Sequence, residues 1–342
     1  MHTDKKILYI RLVASTFILK DEELLSNHYQ VKSFAFQHRK GLQVIKELWR
    51  ELMFLVRNLR SADFVYVWFA DFHAVLPVLL SRVYGKKSIL VIGGVDAAYD
   101  PDLKYGTKTR LLGRISVHLA TRFAHLLLPV TQHTLNQLIK NINPTLVGKS
   151  HIVPNCYDTD FEIRIASTHI RDGVVSVCLA DSVKTLFVKG IDFLIQIARL
   201  LPDTQFTIIG VQAEAYDWLM ERKSANTHLV GPVPQSELRE YFMRSKVVCQ
   251  FSRHESFGLS VLEGIAAGCF PVAHQTGGLA EILASSNGLL IKNLNVDEAV
   301  DAIQTACRKS EAEQRHIADT VLVRFSCINR INLLLEAIRS IS

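Results

Sequence analysis

Two carboxylates, Glu255 and Glu263, stand eight positions apart in the segment ESFGLSVLEGIAAGCFPV, residues 255–272. A carboxylate accepts hydrogen bonds from hydroxyls but cannot hold a diphosphate. Between the two lies Ser256-Phe257-Gly258, which reads as a loop turning a β-rich run (246–251) into a helix (259–267) opened by Leu259. A helix start has free N–H groups and the positive end of the macrodipole, so an anion docks there. Gly258 removes the side chain that would keep a phosphate away. Glu255 falls at the loop mouth, and Glu263 lies roughly 7 Å further along the helix. Two hydroxyl acceptors on either side of an anion site suit a nucleoside-diphosphate sugar, which carries sugar hydroxyls at both ends of a diphosphate.

Two further motifs fall in register. Downstream, Thr276-Gly277-Gly278-Leu-Ala-Glu281 follows a Gly-x-x-Pro-Val strand; upstream, Lys184-Thr-Leu-Phe-Val-Lys189-Gly190 follows the strand 174–179. With Glu-x7-Glu these resemble the donor site of the family 4 retaining glycosyltransferases, which have the GT-B fold. The resemblance implies that Lys189 and Lys184 grip the donor diphosphate, with Gly190 beside them. Lys184 stands where the family has an arginine, so it supplies the charge without the bidentate fork. It implies that Glu255 orients the donor sugar and Glu263 the ribose. Ser256, Phe257, Gly258, Leu259, Gly277 and Gly278 would line the donor, and the backbone at Val233 would meet the base. Residues 151–158, HIVPNCYD, are similar to the family's I-P-N-G-V-D, with Cys156 where glycine is usual.

In the first half the match is looser. Many members carry a His-Asp pair after the strand that here covers 88–92, but this chain has Gly93-Gly94-Val95-Asp96. The two glycines permit close backbone approach to an acceptor. Asp96 and His73, the latter following the run FVYVWF, are the expected cleft residues. The resemblance further implies transfer of a hexose with retention of configuration to a glycan or lipid-linked acceptor, with no cofactor required. No Asp-x-Asp pair is placed for a metal. Surface polysaccharide or lipopolysaccharide biosynthesis is the setting that the family suggests.

These groups need a scaffold that brings loops together at one edge of a sheet. Apolar runs at 6–12, 64–69, 88–92 and 126–130 read as strands alternating with helices at 43–60, 108–124 and 131–142. The rhythm restarts at 174–179 and continues through strands at 205–210, 246–251, 270–273 and 287–291. Strand–helix alternation predicts parallel α/β sheets. The expected fold is GT-B: two Rossmann-like domains facing a central cleft, with a C-terminal helix crossing back. The expected domains are 1–165 for the acceptor, 166–325 for the donor and 326–342 for the crossover helix. The interdomain linker is expected at 163–172.

With 342 residues, 49% hydrophobic and 21% charged, the sequence is an ordinary globular one. No apolar run reaches the roughly 18 residues of a membrane span, and no signal-peptide core follows Met1, which predicts a cytoplasmic protein. The six cysteines form no C-x-x-C pair, so buried free thiols are expected rather than zinc. Residues 1–164 hold 22 Lys/Arg and 14 Asp/Glu, +8; the remainder hold 17 and 19, −2. Nucleic-acid motifs are absent, and the basic half better suits peripheral contact with an anionic membrane. In 43–60, Val44, Leu48, Leu52, Leu55, Val56 and Leu59 form the expected buried stripe, with Lys46, Arg50, Arg57 and Arg60 opposite and Trp49 near the boundary. Three readings compete with a transferase: a glycoside hydrolase using the two glutamates, a nucleotide-sugar epimerase, and a non-catalytic nucleotide-sugar-binding partner subunit.

Overall fold

A computed structural model of the protein describes residues 4–12, 14–37, 41, 43–162, 171–284 and 286–341. Contacts divide the chain into two units, Met1–Asn155 with Cys327–Ser342, and Cys156–Ser326. The expected linker falls mostly on 163–170, outside the described residues.

The first unit contains β1 (Lys6–Arg11), α1 (Thr16–Ser26), β2 (Gln30–Ala35), α2 (Gln43–Asn58), β3 (Phe64–Trp68), α3 (Phe72–Val83), β4 (Lys87–Ile92), α4 (Leu111–Phe123), β5 (Leu126–Pro129) and α5 (Gln132–Asn141). Its five strands are parallel in the order β2-β1-β3-β4-β5. The central strands are apolar because helices cover both faces; β3, FVYVW, is buried throughout. The second unit contains β6 (Val174–Ala180), α6 (Val183–Lys189), α7 (Ile191–Leu200), β7 (Phe206–Val211), α8 (Ala213–Met220), β8 (Thr227–Val230), α9 (Gln235–Arg244), β9 (Val247–Gln250), α10 (Leu259–Ala266), β10 (Phe270–His274), α11 (Gly277–Leu283), β11 (Leu289–Ile291), α12 (Val296–Cys307) and α13 (Glu311–Arg324). Its six parallel strands run β11-β10-β9-β6-β7-β8. The last helix, α14 (Cys327–Arg339), belongs to the first unit.

A buried ion pair fixes α14 there. Arg330 donates through Nε to Asp21 Oδ1 and through Nη2 to Oδ2 at 2.7 Å, and through Nη1 to the carbonyls of Val153 and Pro154 at 3.0 and 2.5 Å. Asp21 also accepts from Tyr66 Oη at 2.8 Å and Trp68 Nε1 at 3.1 Å. Both charged residues are buried, so each satisfies the other's charge where water cannot.

Several elements differ from the sequence expectation. β2 is an edge strand on which only Phe34 is buried, so it shows no apolar run. The sequence suggests a short helix at 21–26; helix α1 begins at Thr16, five residues earlier. A short helix not expected from the sequence, α6, carries Lys184 and Lys189. On α2 the buried stripe is Glu47, Glu51 and Leu55, spaced i, i+4, i+8, while Val56 is exposed and Arg60 lies beyond the helix. Glu47 accepts two hydrogen bonds from Arg50 Nη1 at 2.7 and 2.8 Å. Among the described residues neither carboxylate oxygen of Glu51 has a hydrogen-bond partner, and burial pushes its pKa well above the usual range.

Candidate active site

In open parallel sheets, ligands gather at the carboxyl edge where the strand order reverses. In the second unit that switch point lies between β6 and β9. The segment after β6 carries Lys184 and Lys189; the segment after β9 carries Glu255. Lys189 Nζ donates to Glu255 Oε2 at 2.8 Å, and both side chains keep some exposure, 30% and 13%. Residues 66 positions apart are thus brought into one charged pair at the predicted edge.

Glycines make this approach possible by packing chain against chain. Gly190 has φ +68°, and a Cβ there would stand 1.9 Å from the Phe251 carbonyl oxygen. Gly278 admits the backbone of Phe257, which a Cβ would meet at 2.4 Å, and its N–H donates to the Glu255 carbonyl at 3.0 Å. Gly277, at φ +51°, opens α11. Gly258 has φ +103° and faces Leu279, whose Cδ2 a Cβ would meet at 2.5 Å. Its left-handed backbone and tight packing are sufficient reason for the glycine, independently of a phosphate.

Arg253, to which the sequence reading gave no role, ties the two segments together. Its guanidinium makes paired bonds to Asp192, Nη1 to Oδ1 at 2.7 Å and Nη2 to Oδ2 at 2.8 Å, and Nη1 also reaches the Phe187 carbonyl at 2.5 Å. Its N–H donates to the Val188 carbonyl at 2.8 Å. A lone arginine in sequence carries no signal of this; only its place two residues before Glu255 hints at it. Beneath Glu255 runs a polar string. Ser252 Oγ reaches Glu255 Oε2 at 3.4 Å and accepts from Gln250 Nε2 at 2.6 Å, and the Ser252 carbonyl bonds His274 Nδ1 at 2.8 Å.

Glu263 lies on α10, 6% exposed. Gln235 Nε2 donates to its Oε1 at 3.3 Å. Burial, above all, lifts its pKa to about 8; the Gln235 bond opposes this and the charge of Asp158 adds to it. Beside it a cleft of about 520 Å³ is lined by 158–162, Gln235, Ser236, Arg239 and Glu240. Arg239 Nε is buried with no partner among the described residues.

The remaining expected donor residues scatter in role. Ser256, Leu259 and Val233 are half-buried, and Lys184 is exposed on the first turn of α6. The Phe257 ring packs inward: it is 4% exposed and meets Phe325 edge-on at 5.6 Å. In the first unit, Asp96 and His73 are buried to 1% and 0%. Asp96 accepts from the Ala70 N–H at 2.9 Å and the Gly94 N–H at 2.7 Å; its pKa is lifted to about 6 by burial, which those bonds oppose. His73 Nε2 bonds the Trp68 carbonyl at 2.8 Å, so that nitrogen carries the proton; Nδ1 is buried without a partner among the described residues, and burial lowers the pKa. Both are buried and hydrogen-bonded to backbone. Gly93 leaves room for the Phe69 ring, whose Cε1 a Cβ would meet at 2.1 Å. Gly94 adopts φ +116°. Among the described residues no group of three or more His, Cys, Asp or Glu is placed to hold a metal ion, and none of the six cysteines is in a disulfide.

Two Rossmann-like parallel-sheet units of this topology define the GT-B fold. Solved structures agree. The chain is similar to sucrose-phosphate synthase from Thermosynechococcus elongatus, with a TM-score of 0.78 at 14% identity over 98% of this chain and 99% of that one. It is similar also to Anabaena HepE in complex with UDP-glucose, with a TM-score of 0.76 at 16% identity over 98% and 99%. Residues 182–320 match the family model for glycosyl transferases group 1. A 78-residue segment is 38% identical to the D-inositol 3-phosphate glycosyltransferase of Kribbella flavida, covering 22% of this chain and 18% of that relative. The matched part is thus less than a fifth of that relative's length.

Proposed function

We propose that the chain is a glycosyltransferase that moves a hexose from a nucleoside-diphosphate sugar to a glycan or lipid-linked acceptor with retention of configuration. The observation that carries this reading is the Lys189–Glu255 pair, 2.8 Å apart at the switch point of the second unit, inside the stretch that matches group 1 glycosyl transferases. In the reaction the bond from the anomeric carbon to the diphosphate oxygen breaks, and its electrons leave with the diphosphate. Lys189, with Lys184 behind it, stabilises that charge as it develops. Glu255 accepts a hydroxyl of the donor sugar, and Glu263 engages the ribose. The acceptor oxygen bonds to the anomeric carbon on the face the diphosphate leaves, and its proton passes to the leaving diphosphate. A hydrolase reading leaves the Lys189–Glu255 pairing without a task, since a glycosidase needs two carboxyl groups flanking its bond and no cation.

A thermal-shift screen of UDP-, GDP- and ADP-sugars tests the donor site. At least one should raise the melting temperature, and Glu263→Ala should lose that rise; an undiminished rise in the variant removes Glu263 from the site.

Peripheral contact with an anionic membrane belongs to the same reading. Its support is the outward face of α2, where Ile45, Trp49 and Val56 are exposed beside Lys46, Arg50 and Arg57, and the start of α4, where Leu111, Leu112 and Ile115 are exposed beside Arg110 and Arg114. Sedimentation with phosphatidylglycerol vesicles but not with phosphatidylcholine vesicles is the expected outcome. Equal recovery with neither lipid would refute it. Among the described residues no helix is long and apolar enough to cross a membrane.

A further inference from the structure

The first unit has its own switch point, between β1 and β3, and two aromatic residues stand at its carboxyl edge. Phe17 follows β1 on the first turn of α1; Phe69 follows β3 directly. Both are half-buried, and their rings meet edge-on at 6.5 Å over the fully buried Trp68, 5.1 Å from Phe17 and 5.6 Å from Phe69.

Phe69 holds a backbone that bulky side chains rarely adopt, with φ +68°. Everything around it enforces that conformation. Its N–H donates to the Val91 carbonyl at 3.0 Å, and its carbonyl accepts from the Asp71 N–H at 3.1 Å. The peptide before it is held by His73 at the Trp68 carbonyl, and the one after it by Asp96 at the Ala70 N–H. Gly93 leaves the space that the ring fills. A phenylalanine serving only the core would be buried and unstrained. Here two buried polar side chains and a glycine maintain a strained residue that stays partly exposed, and strain of this kind collects at ligand sites.

We propose that Phe69, walled by Phe17, is a stacking platform for a neutral pyranose ring of the acceptor, with Asp71 as hydroxyl acceptor at its rim. The apolar C–H face of a pyranose suits the negative face of an aromatic ring. Asp71 is two residues on; its Oδ1 accepts from the Phe72 N–H at 2.7 Å and its Oδ2 pairs with exposed Arg110 at 3.1 Å. His73 and Asp96 act here as positioning residues. The word acceptor rests on the transferase reading; the sugar site does not.

The test is saturation-transfer NMR with the methyl glycosides of glucose, galactose, mannose and N-acetylglucosamine, with no nucleotide present. At least one should receive saturation on its ring C–H protons. That signal should fall at least fivefold in Phe69→Ala and in Gly93→Ala, which displaces the ring, and persist in Phe69→Tyr. Thermal unfolding of each variant confirms that it is folded, and a UDP-sugar thermal shift equal to wild type shows that the second unit is untouched. No saturation of any glycoside by the wild-type chain, or an equal signal in folded Phe69→Ala, overturns the proposal. Glycoside binding without any nucleotide-sugar shift would sink the donor reading and leave this one standing.

Discussion

Glu263 keeps its proton at neutral pH because α10 buries its carboxyl, raising the pKa from 4.5 to about 8. A neutral carboxyl can both donate to and accept from ribose hydroxyls. Between these two values the unfolded chain releases a proton that the folded chain retains. The contribution of this group to stability is therefore full below pH 4.5 and lost as pH rises through 8. Glu263→Gln removes the titration. Its melting temperature relative to wild type should rise steadily from pH 5 to pH 8, as read by thermal unfolding across that range; a constant offset would contradict the buried neutral acid. The two glutamates and Lys189 were legible in the sequence because their types and spacing carry the chemistry. Their different surroundings were not, because each is set by neighbours distant in sequence: Lys189 for Glu255, Gln235 and Asp158 for Glu263. His73 and Asp96 were legible as unusual, but not the backbone bonds they make, since a polar residue after a strand looks the same whether it faces ligand or holds backbone.

The elements around the donor site are set by glycines more than by helix propensity. Gly190 ends α6 in a left-handed conformation and lets it abut the Phe251 carbonyl. Gly190→Ala therefore introduces both backbone strain and a backbone clash, and should cost about 2 kcal/mol or more in a denaturant titration. A variant as stable as wild type would show that the two segments are not packed as described. The strands and most helices were legible because buried parallel strands are apolar on both faces. β2 was not, being a polar edge strand with one buried residue. The stripe in 43–60 was legible in part: Leu55 and Leu59 are core and Leu48 packs against it, but Val56 is exposed and Glu47 and Glu51 are buried in its place. Buried acids leave no mark on a hydropathy pattern.

At the scale of the whole molecule, the C-terminal helix closes the first unit through one pair of charges 309 residues apart. Removing one partner leaves the other buried and uncompensated. Arg330→Met should cost roughly 3–5 kcal/mol, and adding Asp21→Asn should recover part of it. Equilibrium denaturation of the two variants checks this; a single variant as stable as the wild type would contradict it. That a last helix returns to the first unit was anticipated by the resemblance, but its means was not, because nothing in the sequence links Asp21 to Arg330. The central claim concerns the second unit. A crystal structure of the chain with the nucleotide sugar that gives the largest thermal shift tests it most directly. The β-phosphate should lie within about 3 Å of Lys189 Nζ, with ribose hydroxyls on Glu263 and a sugar hydroxyl on Glu255. A nucleotide bound away from the β6–β9 switch point, or bound there with both glutamates uninvolved, would contradict the account.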